Sequence, residues 1–191
     1  MSIYTRSGDT GTTNLFGGKR VLKCEELVDV YGSMDELNSW VGLIVSETAH
    51  DHLKKLFDDI QSDLFTIGGN LAGWSTDLAA LETRVPQVEV EIDAMEKNLA
   101  PLTNFILPGG TKEAAHVHIA RSITRRVERQ IVALAQRQKV DPRIMKYLNR
   151  LSDLFFMLAR FINKNADVAE VTWSGIPRQK KPRSNRGRSK E

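Results

Sequence analysis

A single cysteine, Cys24, stands in 191 residues. One thiol cannot close an internal disulfide, and it leaves no cysteine-based zinc spacing. Long apolar runs are missing too: no stretch approaches the run of about 20 residues that a membrane-crossing helix needs. The opening residues, MSIYTRSGDTG, hold no apolar h-region and no Arg/Ser-rich amphipathic presequence, so a cytoplasmic location is expected. No convincing pair of strand patterns occurs, and no internal repeat.

What is present is an ordinary globular composition, 41% hydrophobic and 27% charged, in a chain of single-domain size. The net charge of +3 hides an asymmetry. Residues 178–191 hold seven Lys/Arg and one Glu, a net +6, which leaves −3 for the rest. The expected organisation is therefore a folded domain over 1–177 and a basic, disordered tail over 178–191, solvated or in contact with RNA or an acidic surface.

Residues 5–20, TRSGDTGTTNLFGGKR, contain four Gly and four Thr and no apolar periodicity. A loop of that length in a compact domain tends to be functional. It fails the Walker A spacing, but its chemistry suits an anion. Glycines let backbone N–H groups turn inward, hydroxyls add donors, and Lys19, Arg20 and Lys23 add charge.

Five helical patterns follow, near 26–49, 51–71, 86–99, 111–138 and 142–165. Ser33-Met-Asp-Glu36 offers a capping box inside the first, Asp51 a cap for the second, Pro86 a first-turn proline for the third, and Asp141-Pro142 a cap and N1 proline for the fifth. The short connections predict an all-α fold, a five-helix antiparallel bundle behind the N-terminal loop.

Two helices carry a second face. In the fourth, Ile119, Ile123, Val127, Ile131 and Leu134 form the apolar side, and His118, Arg121, Arg125 and Glu128 lie opposite within a sector of about 80°. Arg126 and Arg129 crowd the same region. Such a cluster suits a polyanion or a partner subunit. In the fifth, Asn149, Asp153, Phe156, Arg160 and Asn163 face away from the core residues Leu151, Leu154, Phe155, Leu158 and Ile162. A phenylalanine among those polar groups suggests another subunit or a large flat ligand. The pairs Glu47–His50 and Glu113–His116 have E-x-x-H spacing, but the matching glutamates of a di-iron bundle have no obvious place in the second and third helices.

The motifs IYTRSGDTGTTNLFGG, YGSMDELNSWVG, FILPGG, HIARSITRRVER and YLNRLSDLFF occur in that order between Ile3 and Lys164. Together they resemble the PduO-type ATP:cob(I)alamin adenosyltransferases. The resemblance implies a homotrimer with ATP at subunit boundaries. It implies ATP contacts from Thr5, Arg6, Ser7, Gly8, Thr13, Asn14 and Lys23, from the stretch Arg125, Arg126, Val127, Glu128 and Arg129, and from Asn149. Asp35 and Arg121 match an intersubunit salt bridge beside the corrin, and Phe105 matches the ring that faces cobalt and displaces its lower ligand. With Arg125 these form the implied catalytic set. The implied small molecules are ATP, cob(I)alamin and Mg²⁺, the last held mainly by ATP phosphates, with Glu128 as a contact to Mg²⁺ or to the ribose. A reductase and an adenosylcobalamin-dependent acceptor enzyme are the implied protein partners. The competing reading is a non-catalytic helical scaffold that binds RNA or acidic partners through the basic tail.

Overall fold

The computed structural model describes residues 4–175; the tail expected over 178–191 lies outside them. Two short strands, β1 (Thr12–Asn14) and β2 (Arg20–Leu22), precede five helices: α1 (Glu26–Glu47), α2 (Asp51–Leu71), α3 (Ala80–Glu96), α4 (Lys112–Ala135) and α5 (Pro142–Asn165). The expectation of an all-α chain is corrected at the N-terminus. There β1 and β2 pair antiparallel with Thr13 opposite Val21. The intervening turn uses Gly17 at φ 91° and Gly18 at φ 86°, a conformation that glycine adopts without steric cost.

Helix starts follow the local chemistry in two cases. Thr111 caps α4 by accepting from the Ala114 N–H, and Asp141 caps α5 by accepting from the Arg143 N–H, with Pro142 in the first turn. Elsewhere the tertiary structure overrides the local signals. α1 runs unbroken through Gly32 and Ser33, so the capping box is not used. His50, not Asp51, occupies the cap position of α2. α3 begins at Ala80, and Pro86 lies inside it on an exposed turn. The C=O of Glu82, which a proline leaves without a helical partner, is there within reach of water.

α1 packs on α2 and α4, and α5 packs on α4 and α3. Arg84 of α3 closes the circuit onto α2: its Nε stands 2.8 Å from Asp63, which also accepts from the Tyr147 hydroxyl at 2.9 Å. One core results, with Met34, Phe57, Ile131, Tyr147 and Phe155 fully enclosed. Among the described residues no helix is long and apolar enough to cross a membrane.

The E-x-x-H pairs are also resolved. Glu47 and His116, one member of each, meet each other at 2.6 Å, and Lys112 takes the second oxygen of Glu47 at 2.6 Å. They fasten the end of α1 to the start of α4.

Candidate active site

The N-terminal loop is closed by its own side chains. The Thr5 and Ser7 hydroxyls hydrogen-bond at 2.7 Å. Arg20 donates to the Ser7 carbonyl at 2.6 Å, to the Thr12 hydroxyl, and to Asn14 Oδ1 at 3.4 Å. The Lys23 ammonium lies over Gly8, 3.3 Å from where a Cβ would stand. Arg6 is held at φ 59°, a left-handed conformation that costs a non-glycine residue of order 1–3 kcal/mol and concentrates at functional sites. Of the expected loop residues, Thr5, Ser7 and Asn14 are thus linked through Arg20 and Lys23 lies over Gly8, while Thr13 lies in β1 opposite Val21. The hairpin is tied to the end of α2: the Phe16 N–H donates to the Ala72 carbonyl at 2.8 Å, and its ring stacks on Trp74 at 5.1 Å.

The second group lies along α4 and α5. Asn149 donates to Glu128 Oε1 at 3.0 Å. Arg125 and Arg129 are exposed, and among the described residues neither has an ion-pair partner. Arg126 is already engaged, paired with Glu36 of α1. Val127, among the expected ATP contacts, has its side chain fully buried in the core. At about 100° per residue, a position two after Arg125 turns inward. His118, Arg160 and Asn163, expected on polar outer faces, are also buried, at 4%, 4% and 3% exposure. Loop 97–111 and the segment after α5 cover them, which helix periodicity does not register.

Phe105, at 79% exposure, stands on that covering loop. With Arg121 and Phe156 it lines a cavity of about 600 Å³. Arg121 lies over Phe156, and its Nε is buried without a hydrogen-bond acceptor among the described residues. Burial, and then the neighbouring Arg125, lower its pKa. Behind it, burial followed by the Arg121 charge pushes the His118 pKa down to about 4, so this imidazole is neutral at pH 7. A second cavity, of about 330 Å³, joins Arg121 and Phe156 to Arg125 and Asp153. Asp35 is not part of this group. It lines a separate apolar cavity of about 380 Å³ with Phe16, Tyr31, Asn38, Phe65 and Trp74.

A family model described as "Cobalamin adenosyltransferase" matches residues 3–162. The chain belongs to the cobalamin adenosyltransferase family. It is 41% identical over 179 residues to a corrinoid adenosyltransferase of Bacillus subtilis, covering 91% of this chain and 92% of that one. It is 36% identical to a human corrinoid adenosyltransferase, covering 83% and 68%. Its fold matches a phenylalanine-to-alanine variant of the PduO-type ATP:corrinoid adenosyltransferase of Lactobacillus reuteri, solved with cobalamin and ATP. That match has a TM-score of 0.87 and 35% identity, over 91% of this chain and 100% of the other.

Within this cobalamin adenosyltransferase domain, sequence reasoning missed several residues that hold the site together. Arg20 was legible as charge but not as the clasp of the loop. Trp74 and Trp173 sit outside the helical patterns. The only local signal for Trp173 is the short alternation Glu170-Val-Thr-Trp173 after α5.

Proposed function

We propose that the chain transfers the 5′-deoxyadenosyl group of ATP to the cobalt of cob(I)alamin, and that it works as a cytoplasmic homotrimer of antiparallel bundles. The domain would span 1–177. The observation that carries this reading is the cavity where an exposed aromatic ring, Phe105, converges with Arg121 and Phe156 beside Arg125, which has no ion-pair partner among the described residues. That is an apolar and cationic wall, suited to a large flat ring on one side and a polyphosphate on the other.

The lone pair of Co(I) attacks the ribose C5′. The Co–C bond forms as the C5′–O bond breaks, and the electrons of that bond leave with tripolyphosphate. The substrate supplies the nucleophile, so the protein positions the partners and stabilises charge. Arg125, Arg129, Lys23 and the loop N–H groups receive the leaving triphosphate. Thr5, Ser7, Asn14 and Asn149 hold the nucleotide. Mg²⁺ would be carried by the phosphates, with Glu128 presenting its one oxygen not engaged by Asn149. When bound, Mg²⁺ would neutralise phosphate charge.

The half-buried Arg121, whose Nε lacks an acceptor among the described residues, fits a carboxylate from a neighbouring subunit, and Asp35 lines a cavity of its own that would face it. Phe105 would fill the lower axial position of cobalt, leaving a four-coordinate Co(II) that is easier to reduce. The scaffold reading draws only on residues 178–191, and no feature of α4 or α5 requires it.

The deciding experiment is anaerobic. Cob(I)alamin, Mg²⁺ and ATP are mixed with the protein and the visible spectrum is followed. ATP-dependent loss of the Co(I) band with growth of light-sensitive adenosylcobalamin is expected. An unchanged spectrum with active reductant present would refute the transferase reading.

A further inference from the structure

Phe105 sits on an extended loop with 79% of its surface exposed, so its own packing does not orient it. The structure shows what does. The loop is held at three places, each time by α5 or the segment that follows it. Arg160, itself 4% exposed, donates through Nη2 to the Ala100 carbonyl at 2.8 Å. At the far end Asn163 donates to the Gly109 carbonyl at 2.9 Å and accepts from the Thr111 N–H at 2.9 Å.

Between these anchors the chain leaving α5 runs back along the loop. Ile106 pairs with Thr172 in an antiparallel bridge. The Trp173 N–H donates to the Phe105 carbonyl at 2.7 Å, and the Leu107 N–H donates to the Val171 carbonyl at 2.8 Å. The returning chain is itself pinned at its root, where Arg160 Nε donates to Glu170 at 2.7 Å. At its tip the Trp173 indole meets the Phe105 ring edge-on, with centroids 6.5 Å apart and planes at 62°.

We infer that the segment Glu170–Trp173 is a positioning strap for Phe105, with the Trp173 ring fixing the orientation that Phe105 presents to the corrin. The inference rests on the reading of Phe105 as the residue that faces cobalt. Backbone bonds set where the loop runs; they leave the χ1 and χ2 rotations of Phe105 free. Only a side chain beside the ring restricts them, and Trp173 is placed edge-on, a favoured aromatic geometry. Trp173 is a positioning residue: it acts on cobalt through Phe105. Arg160 links the strap to the loop root through one guanidinium, so both ends of the Phe105 segment answer to the same helix.

The test uses full-length protein loaded with ATP and cob(II)alamin, and reads the fraction of four-coordinate Co(II) by electron paramagnetic resonance. Trp173 is half exposed, so Trp173→Ala leaves the core intact. This variant is expected to lower the four-coordinate fraction by about three- to tenfold, the effect an edge-to-face aromatic contact commands, with ATP affinity unchanged. Trp173→Phe is expected to restore it. Phe105→Ala serves as the reference and is expected to abolish the signal. If Phe105→Ala abolishes it while Trp173→Ala leaves it untouched, the strap inference is overturned and the role of Phe105 stands. If neither variant changes it, the reading of Phe105 is at fault and the inference falls with it.

Discussion

The guanidinium of Arg121 lies over the ring of Phe156, its central carbon 5.8 Å from the ring centroid. The stack orients a charge whose Nε has no acceptor among the described residues. A buried donor without a partner costs about 1–3 kcal/mol, which assembly with an acidic neighbour would relieve.

If Asp35 of a neighbouring subunit supplies that acid, Asp35→Asn and Arg121→Lys will not act independently. Cobalamin affinity measured for both single variants and the double should show a coupling of about 0.5–3 kcal/mol. Strictly additive losses would remove the pair from the mechanism.

Arg125 offers a cleaner separation of fold from chemistry. It is exposed and has no ion-pair partner among the described residues, so Arg125→Ala should leave the unfolding midpoint unchanged. Its removal takes one cation from the leaving triphosphate, and a fall in kcat of about 10²–10³ is expected. Steady-state assays with saturating cob(I)alamin measure this, and near-normal turnover would contradict the triphosphate role.

Gly110 tests the anchoring of the Phe105 loop. Its φ of 107° is disfavoured for side-chain-bearing residues, and a Cβ there would collide with the Asn163 amide that clamps the loop. Gly110→Ala should cost about 1–3 kcal/mol in urea unfolding at fixed protein concentration. A neutral substitution would mean that the clamp yields freely.

His118 sets a pH dependence whose sign is fixed by its environment. Its pKa falls from 6.5 unfolded to about 4 folded, chiefly by burial and then by the Arg121 charge, with Glu170 opposing. Between these values the unfolded chain binds more protons, so stability rises with pH. The contribution is fully present above about pH 6.5 and is lost as pH falls toward about 4, amounting to about 3 kcal/mol. Unfolding of the protein and of His118→Gln, compared from pH 4.5 to 7, should show this slope only where the imidazole is present.

Much of this was legible from residue order. The apolar stripe of α2, from Leu53 to Ile67, and the Asp141-Pro142 start of α5 are local signals, and the structure keeps both. Pro86 misled because a proline is equally compatible with a first turn and with an exposed interior turn whose carbonyl water can reach. His118, Arg160 and Asn163 misled for a different reason. A helical wheel separates faces but does not say what covers each face, and here an irregular loop and a returning chain do.

Family membership was carried by ordered motifs in the sequence, because a loop rich in glycine and threonine and helices with arginines at three- and four-residue spacing impose their chemistry locally. Helix number and the apolar face of α5 follow from periodicity for the same reason, as does that of α4 except for Ile119, which is exposed. What only the tertiary structure decided is which of those residues meet. Arg121, Phe156 and Phe105 come from α4, α5 and the loop between α3 and α4, and they line one cavity because α5 packs on α4 and then sends its chain back over that loop. Contacts between residues 16 to 51 positions apart depend on how helices dock, and docking is set by the whole core rather than by any segment of the sequence.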